Sequence, residues 1–427
     1  MKIHFKIIFI FITSVLLISC SEKNEDRTVI TFWAMGSEGE NAAPFLKQFE
    51  ERNPGIKINL QTIPFSSAHD KLITAFAGSS TPDICQLGNT WVSEFSAMDA
   101  LAPLDEYISV SKIVSSEKYF EGSWQTGVID GKVFAVPWYV ETRALFYRVD
   151  LLKKAGYDKA PDTWEEFIDA ASKLSIDENN DGKPDRFGIY LPINPNLEPI
   201  EVLFILQNGG TILNDNNEYA NLNNRETIEA INFYVSFFRK GASPTEQNQM
   251  TNLYQAFESG YIGMFLSGPW NVSQIQNRYP ELNDKWSVAP LPKSKDRSSN
   301  AGGSSLVIFN SSKNKLACWK LIEFLSEVNV QREFYKATSD LPAVQEAWSD
   351  TSLFNNKRMN VFYEQLKHSK AFPKIPEMEQ ILDKMGQYVE MVIFSKRTTE
   401  EAIKGMESDI NRILDKRRWL NRRKNEE

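Results

Sequence analysis

From residue 28 onward, runs of alternating apolar residues give way to runs at helical spacing and back again, and the order of these changes predicts the fold. Val29 to Trp33 is a β-rich run. Ala42 to Arg52 then carries Phe45, Leu46 and Phe49 at helical spacing until Asn53-Pro54-Gly55 stops the helix. Ile56, Ile58 and Leu60 alternate as a second strand. Leu72, Ile73 and Phe76 share one face of a helix between Ala68 and Ala77, and Asp83 to Leu87 follows Gly78 as a third strand. A β-α-β-α-β order predicts a mainly parallel, doubly wound sheet, whose ligands gather beyond the carboxyl ends of the strands. Ala34 to Glu38 and Gly88 to Trp91 fall there.

Asp130-Gly131 between Val128-Ile129 and Val133-Phe134 signals a hairpin, followed by Pro137-Trp138-Tyr139-Val140-Glu141 and the apolar run Ala144 to Tyr147. A new helix opens at Thr163, whose hydroxyl caps it while Glu166 answers three residues later. Phe167, Ala170, Ala171 and Leu174 continue its apolar face, and a second lobe starts here. Leu253 to Glu258 is helical and ends at Gly260, Tyr261 to Leu266 is a strand, and Gly268-Pro269-Trp270 turns into the next helix. Pro290 to Ser305, rich in Pro, Ser, Gly and charge, is a crossing between lobes.

The amino terminus is different in kind. Lys2 and Lys6 precede an apolar run from Ile7 to Ile18, shorter than the roughly 20 residues that span a bilayer as a helix, and residues 1–19 read as a signal peptide. Leu17-Ile18-Ser19-Cys20 resembles the bacterial lipobox, with isoleucine where alanine or serine is more usual. On that reading Cys20 becomes the first residue, its thiol carries a diacylglycerol, and residues 20–27 are a flexible tether. The other reading is an ordinary secretory signal with a stray cysteine. Both export the chain. No later stretch is long and apolar enough to span a membrane as a helix.

The formal charge is −8, and removing residues 1–19 takes away two lysines and no acids, leaving −10. That balance disfavours a nucleic-acid partner. Lys416, Arg417, Arg418, Arg422, Arg423 and Lys424 cluster at the C-terminus as a solvated helix end or a docking patch. Cys85 and Cys318 could form a disulfide or stay as two buried thiols. Only His69 and His368 outlast signal removal, and P-loop, HExxH and GxSxG motifs are absent, which excludes chemistry dependent on paired histidines. A pair of carboxylates working as a glycosidase is not excluded in this way. Trp33, Trp91, Trp138, Tyr139 and Trp270 each follow closely on a predicted strand or hairpin. Sugars present C–H faces to flat rings and hydroxyl edges to carboxylates, amides and guanidinium groups. Any one of these rings could equally be core packing.

The segments TFWAMGSEGE, TPDICQLGNTW, GKVFAVPWYVETRALFYRVDLL, PDTWEEF, GMFLSGPW and KIPEME occur in one order along most of the mature chain. Together they resemble the maltose-type, carbohydrate-binding extracellular solute-binding proteins of bacterial ABC importers. The resemblance implies two doubly wound α/β lobes joined by a hinge, a periplasmic-binding-protein-like, Venus-flytrap architecture. The first lobe would hold residues 28–138 and 292–345, and the second residues 139–291 and 346–427. It implies a monomer that is not an enzyme, requires no cofactor, closes on a mono- or oligosaccharide and delivers it to permease subunits. Carried over by position, the ligand-binding set is Trp33, Gly36, Glu38, Asn89, Trp91, Tyr139, Glu141, Arg143, Glu198, Trp270 and Gly303. Where maltose-type relatives continue from Ile375-Pro376 into aromatic residues, this chain has Met378, Ile381 and Leu382.

Asp177, Asn179, Asp181 and Asp185, with Gly182 at the bend, resemble the front of a calcium loop, a structural Ca2+ site whose twelfth position is Gly188 instead of glutamate. A polar turn is the alternative. Two other functions fit the same residues less well: a lipid-anchored glycan hydrolase or lyase using two of Glu38, Glu141 and Glu198, and a binder of ferric ion or another non-sugar solute.

Overall fold

Strand β1 (Thr28–Met35) buries Ile30, Phe32 and Ala34 completely on one face, and it pairs in parallel with β2 (Ile56–Ile63) along its whole length, from Thr28 beside Ile56 to Met35 beside Ile63. On its other side β3 (Ile84–Gly88) is also parallel. The crossover helices Ala43–Arg52 and Phe65–Ala77 supply the apolar faces that cover these strands. The computed structural model describes residues 27–193, 199–246, 252–349, 353 and 355–426.

The hairpin of β4 (Val128–Ile129) and β5 (Lys132–Val133) leads into β6 (Ala135–Glu141). This strand enters the first sheet beside β12 (Gly302–Ile308), with β13 (Leu341–Pro342) at its outer edge, giving the order β13-β6-β12-β3-β1-β2. All three late arrivals run antiparallel to their neighbours. The parallel arrangement therefore holds for β1 to β3, where local crossover helices dictate direction. β12 returns from the other lobe, β6 arrives from the β4–β5 hairpin and β13 follows two helices after β12, so none of the three closes a β-α-β unit with its neighbour in the sheet.

The second sheet has the order β10-β7-β9-β8, from β7 (Ala144–Arg148), β8 (Phe187–Tyr190), β9 (Ile262–Ser267) and β10 (Trp286–Ala289), with only β8 and β9 parallel. Helices Trp164–Leu174, Ile200–Gln207, Arg225–Arg239 and Met378–Ile393 pack a separate core around it. Thr163 caps the first of these, its Oγ1 accepting from the Glu166 amide at 3.2 Å, while the Glu166 carboxylate reaches back to the Asp162 amide at 2.8 Å.

β6 stays in the first sheet as far as Glu141, three residues beyond the boundary expected from the sequence, and the chain changes sheets over Thr142-Arg143. A second crossing, from Leu291 to Ala301, is strapped down by the buried Gln365, which accepts from the Leu291 amide at 2.9 Å and donates to the Arg297 carbonyl at 2.7 Å. Within it β11 (Ser299–Asn300) pairs with β14 (Ser369–Lys370), so neighbouring crossings are tied to one another. Cys85 and Cys318 are separate, buried free thiols. Among the described residues no helix is long and apolar enough to cross a membrane.

Candidate functional site

At the carboxyl end of β1 the Met35 amide donates to the buried Gln86 side chain at 2.7 Å, and Gly36, at φ +50°, turns the chain into a short helix carrying Glu38. Gln86 in turn donates to the Tyr139 hydroxyl at 3.4 Å and to Ser304 Oγ at 3.3 Å, and Tyr139 and Ser304 hydrogen-bond at 3.0 Å. Three strands thereby fix one phenol at the end of β6. β13 pairs Leu341 with Val140, so the antiparallel register brings Asp340 alongside Glu141.

Glu38, Glu141 and Asp340 converge on Tyr139. Burial pushes the Asp340 carboxyl up to about 8, and the charge of Glu38 beside it pushes the same way. Burial raises Glu38 as well, against hydrogen bonds from its surroundings. The Tyr139 hydroxyl is driven far above its usual range by burial first and then by the three carboxylates. One Asp340 oxygen, Oδ2, is buried without a hydrogen-bond partner. Such a group can act as a hydroxyl acceptor for a guest that brings its own donors.

Across the first crossing, Arg143 approaches Glu141 at 3.7 Å and holds its guanidinium 5.0 Å from the Trp270 ring centroid. Its backbone amide donates to Ser299 Oγ at 3.1 Å, linking this crossing to the second. Trp270 folds back over Gly268, where a Cβ would lie 1.9 Å from the ring. Asn271 secures the Gly268-Pro269-Trp270 turn by donating to Ser267 Oγ at 2.9 Å and to the Gly268 carbonyl at 3.0 Å. Glu38, Asp340, Tyr139, Glu141, Arg143 and Trp270 thus form one continuous run from the first lobe into the second.

The remaining sequence-predicted residues lie apart from that run. Asn89 is committed to β12, donating to the Gly302 carbonyl at 3.1 Å and accepting from Ser305 at 2.9 Å. Trp91 packs on Phe65 and His69, at 5.4 and 5.1 Å between centroids. Trp33 points to the opposite face from Phe32 and lies under Lys71 at 4.8 Å. Trp138 is buried and stacks on Phe334 at 4.7 Å. Gly303, at φ +108°, serves backbone packing, since a Cβ there would sit 2.3 Å from the Tyr139 carbonyl oxygen. Glu198 lies outside the described residues. Asp340 and Ser304 lie outside the segments that carry the resemblance, and Gln86, although within TPDICQLGNTW, is not singled out there as a site residue. The alternation of β1 already turned Trp33 away from Phe32, a signal that strand-end position alone overlooked.

The calcium-like loop spends its oxygens on its own backbone. Asp177 accepts from the Gly182 amide at 2.8 Å, Asn179 from Asp181 at 2.8 Å, Asp181 from Lys183 at 2.8 Å and Asp185 from Glu178 at 2.7 Å. Among the described residues no three acidic, His or Cys side chains converge on a position for a metal.

Between the lobes runs a groove of about 760 Å³, lined by Phe120, Gln125, Leu213, Asn214, Phe372 and Lys374 among others. A narrower recess bounded by Asn89, Ala301 and Met378 shares Phe372 to Lys374 with it. The Glu38–Trp270 run does not line either of them.

Residues 36–331 match the family of bacterial extracellular solute-binding proteins, and the chain belongs to that family, whose members bind and do not catalyse. In structure it is similar to the sugar-binding protein MalE of Xanthomonas citri, with a TM-score of 0.86 and 40% identity over 92% of this chain and 99% of that one. It is also similar to an ABC transporter solute-binding protein of Thermotoga lettingae bound to α-D-tagatose, with a TM-score of 0.76 and 27% identity over 91% of this chain and all (100%) of that one. In sequence it is 24% identical over 394 residues to the maltooligosaccharide ABC transporter solute-binding lipoprotein of Streptococcus pneumoniae, covering 87% of this chain and 88% of that protein.

Proposed function

We propose that this protein captures a sugar between its two lobes by hinge closure and delivers it to the permease of an ABC importer, held at the membrane by a lipid on Cys20. The observation that carries the reading is the continuous run from Glu38 and Asp340 through Tyr139, Glu141 and Arg143 to Trp270. Carboxyl acceptors on one lobe and a guanidinium-aromatic pair on the other match the two chemical faces of a pyranose. A guest touching both lobes favours the closed state because its contacts exist together only there. The sugar-binding neighbours at 40% and 27% identity support the same ligand class.

Isothermal titration of the purified protein with mono- and oligosaccharides tests the capture. Saturable binding is expected, and heats indistinguishable from dilution across the panel would remove the sugar reading. The anchor is tested separately: Cys20→Ser should move the protein from the membrane fraction to the soluble exported fraction.

A further inference from the structure

The C-terminal helix Asp415–Glu426 has two unlike faces. Its inner face is pinned to the second lobe. Arg417 pairs with Glu377 at 3.2 Å, and Arg418 donates to the carbonyls of Glu218 and Asn411, at 2.7 Å each, and to the Asp415 carboxylate. Asn421 donates to the Glu218 carboxylate at 3.1 Å. These bonds account for only part of the basic cluster.

The outer face carries Lys416, Trp419, Leu420 and Arg423 at i, i+3, i+4 and i+7, with Arg422 on its flank. Trp419 is 54% exposed and Leu420 43%, although each would be favoured in an apolar contact. Among the described residues no hydrogen bond or ion pair engages Lys416 or Arg422, while the Arg423 guanidinium lies 4.8 Å from the Trp419 ring centroid. The chain as a whole is acidic, at −8, so this face reverses its sign locally.

We propose that this outer face is a docking surface for an anionic lipid membrane. Three outward cations complement a negatively charged headgroup layer, each contributing roughly fivefold to partitioning near such a surface. An indole ringed by basic residues suits the boundary between headgroups and acyl chains, where tryptophan and arginine concentrate. With only two apolar side chains to insert, the contact is mainly electrostatic. It is reversible and sensitive to salt. Because the inner-face bonds hold the helix to the second lobe, docking would fix that lobe against the membrane and leave the first lobe to close on it.

The test uses lipid-free protein, residues 21–427, which keeps every element described above, and cosedimentation with two kinds of vesicle. Binding is expected to vesicles of equal parts phosphatidylcholine and phosphatidylglycerol, not to phosphatidylcholine alone, and it should be lost at high salt. The combined variant Lys416→Gln, Arg422→Gln, Arg423→Gln should lower partitioning tenfold or more, and Trp419→Ala a few-fold, both with unchanged melting temperature. Equal binding to the two vesicle types, or a triple variant that binds like the parent, overturns the proposal. It is also overturned if the protein ignores both vesicle types and the triple variant weakens binding to the detergent-solubilised permease, an outcome assigning this face to an acidic protein surface.

Discussion

The Arg143 guanidinium lies 5.0 Å from the centroid of the Trp270 indole, and the same ring closes over Gly268, where a single added carbon would lie 1.9 Å from it. A sugar stacking on the face that Arg143 approaches would take the place of the guanidinium. Arg143 is already within 3.7 Å of Glu141 and can shift toward that carboxylate and the hydroxyls of the guest. Trp270→Ala should weaken sugar binding by about 2 kcal/mol, roughly 30-fold, through loss of a desolvated stack. Titration calorimetry measures it, and an unchanged affinity removes Trp270 from the site.

Gly268→Ala gives an independent reading of the same ring. The new methyl cannot coexist with the present indole position, so the ring must swing out while the turn stays clamped by Asn271. Sugar affinity should drop about tenfold with little change in melting temperature. A protein that binds normally would mean that the ring is positioned by the guest and not by the turn.

The parallel strands and the Gly-Pro-Trp turn were legible in the sequence because both are local. Ile56, Ile58 and Leu60 alternate within one strand, and Pro269 sits beside the ring it positions. Asp340 was not legible. It is one acid after Ser339, and it joins Glu38 and Tyr139 only through the antiparallel pairing of a two-residue strand some 200 residues beyond β6 in the chain. Trp91 shows a related limit: strand order places it after β3, but its packing on His69 of helix Phe65–Ala77 is a contact that strand order cannot reveal.

The Asp340 carboxyl makes stability depend on pH in a definite direction. Its ordinary value is 3.8 and its folded value about 8, so above pH 4 the unfolded chain releases a proton that the folded chain retains. The folded state is therefore penalised progressively between about pH 4 and 8, and the penalty is complete above 8. Asp340→Asn removes the titration, and the melting temperature of this variant should fall less steeply from pH 5 to pH 8 than that of the parent, gaining on the order of 1 kcal/mol at pH 8. Parallel melting curves for the two proteins would show that Asp340 ionises normally.

Glu201 offers the same experiment away from the sugar cluster. It is 3% exposed within helix Ile200–Gln207, burial pushes its carboxyl up to about 7, and its Oε1 has no partner. Glu201→Gln should raise the melting temperature at pH 8 and leave sugar affinity at pH 6 unchanged. Because the glutamine keeps the shape and loses the charge, an equal gain at pH 5 would point to packing instead of ionisation.

Gly303 is where the fold and the site depend on one atom. At φ +108° it occupies a backbone region that side chains avoid, and a Cβ there would fall 2.3 Å from the Tyr139 carbonyl and 2.9 Å from Val140 Cα. The β6–β12 register shifts next to it, between Ser304 and Ser305, the first of which hydrogen-bonds the Tyr139 hydroxyl. Gly303→Ala must push the two strands apart, and it should cost about 2–4 kcal/mol of stability, the range for backbone strain combined with a clash. Moving Tyr139 also displaces the phenol on which Glu38, Glu141 and Asp340 converge, so sugar affinity should fall even at temperatures where the variant is fully folded. Thermal melting followed by calorimetry on the folded variant separates the two effects. A variant that melts lower and still binds as the parent would confine Gly303 to a structural role and place Tyr139 outside the contacts that matter.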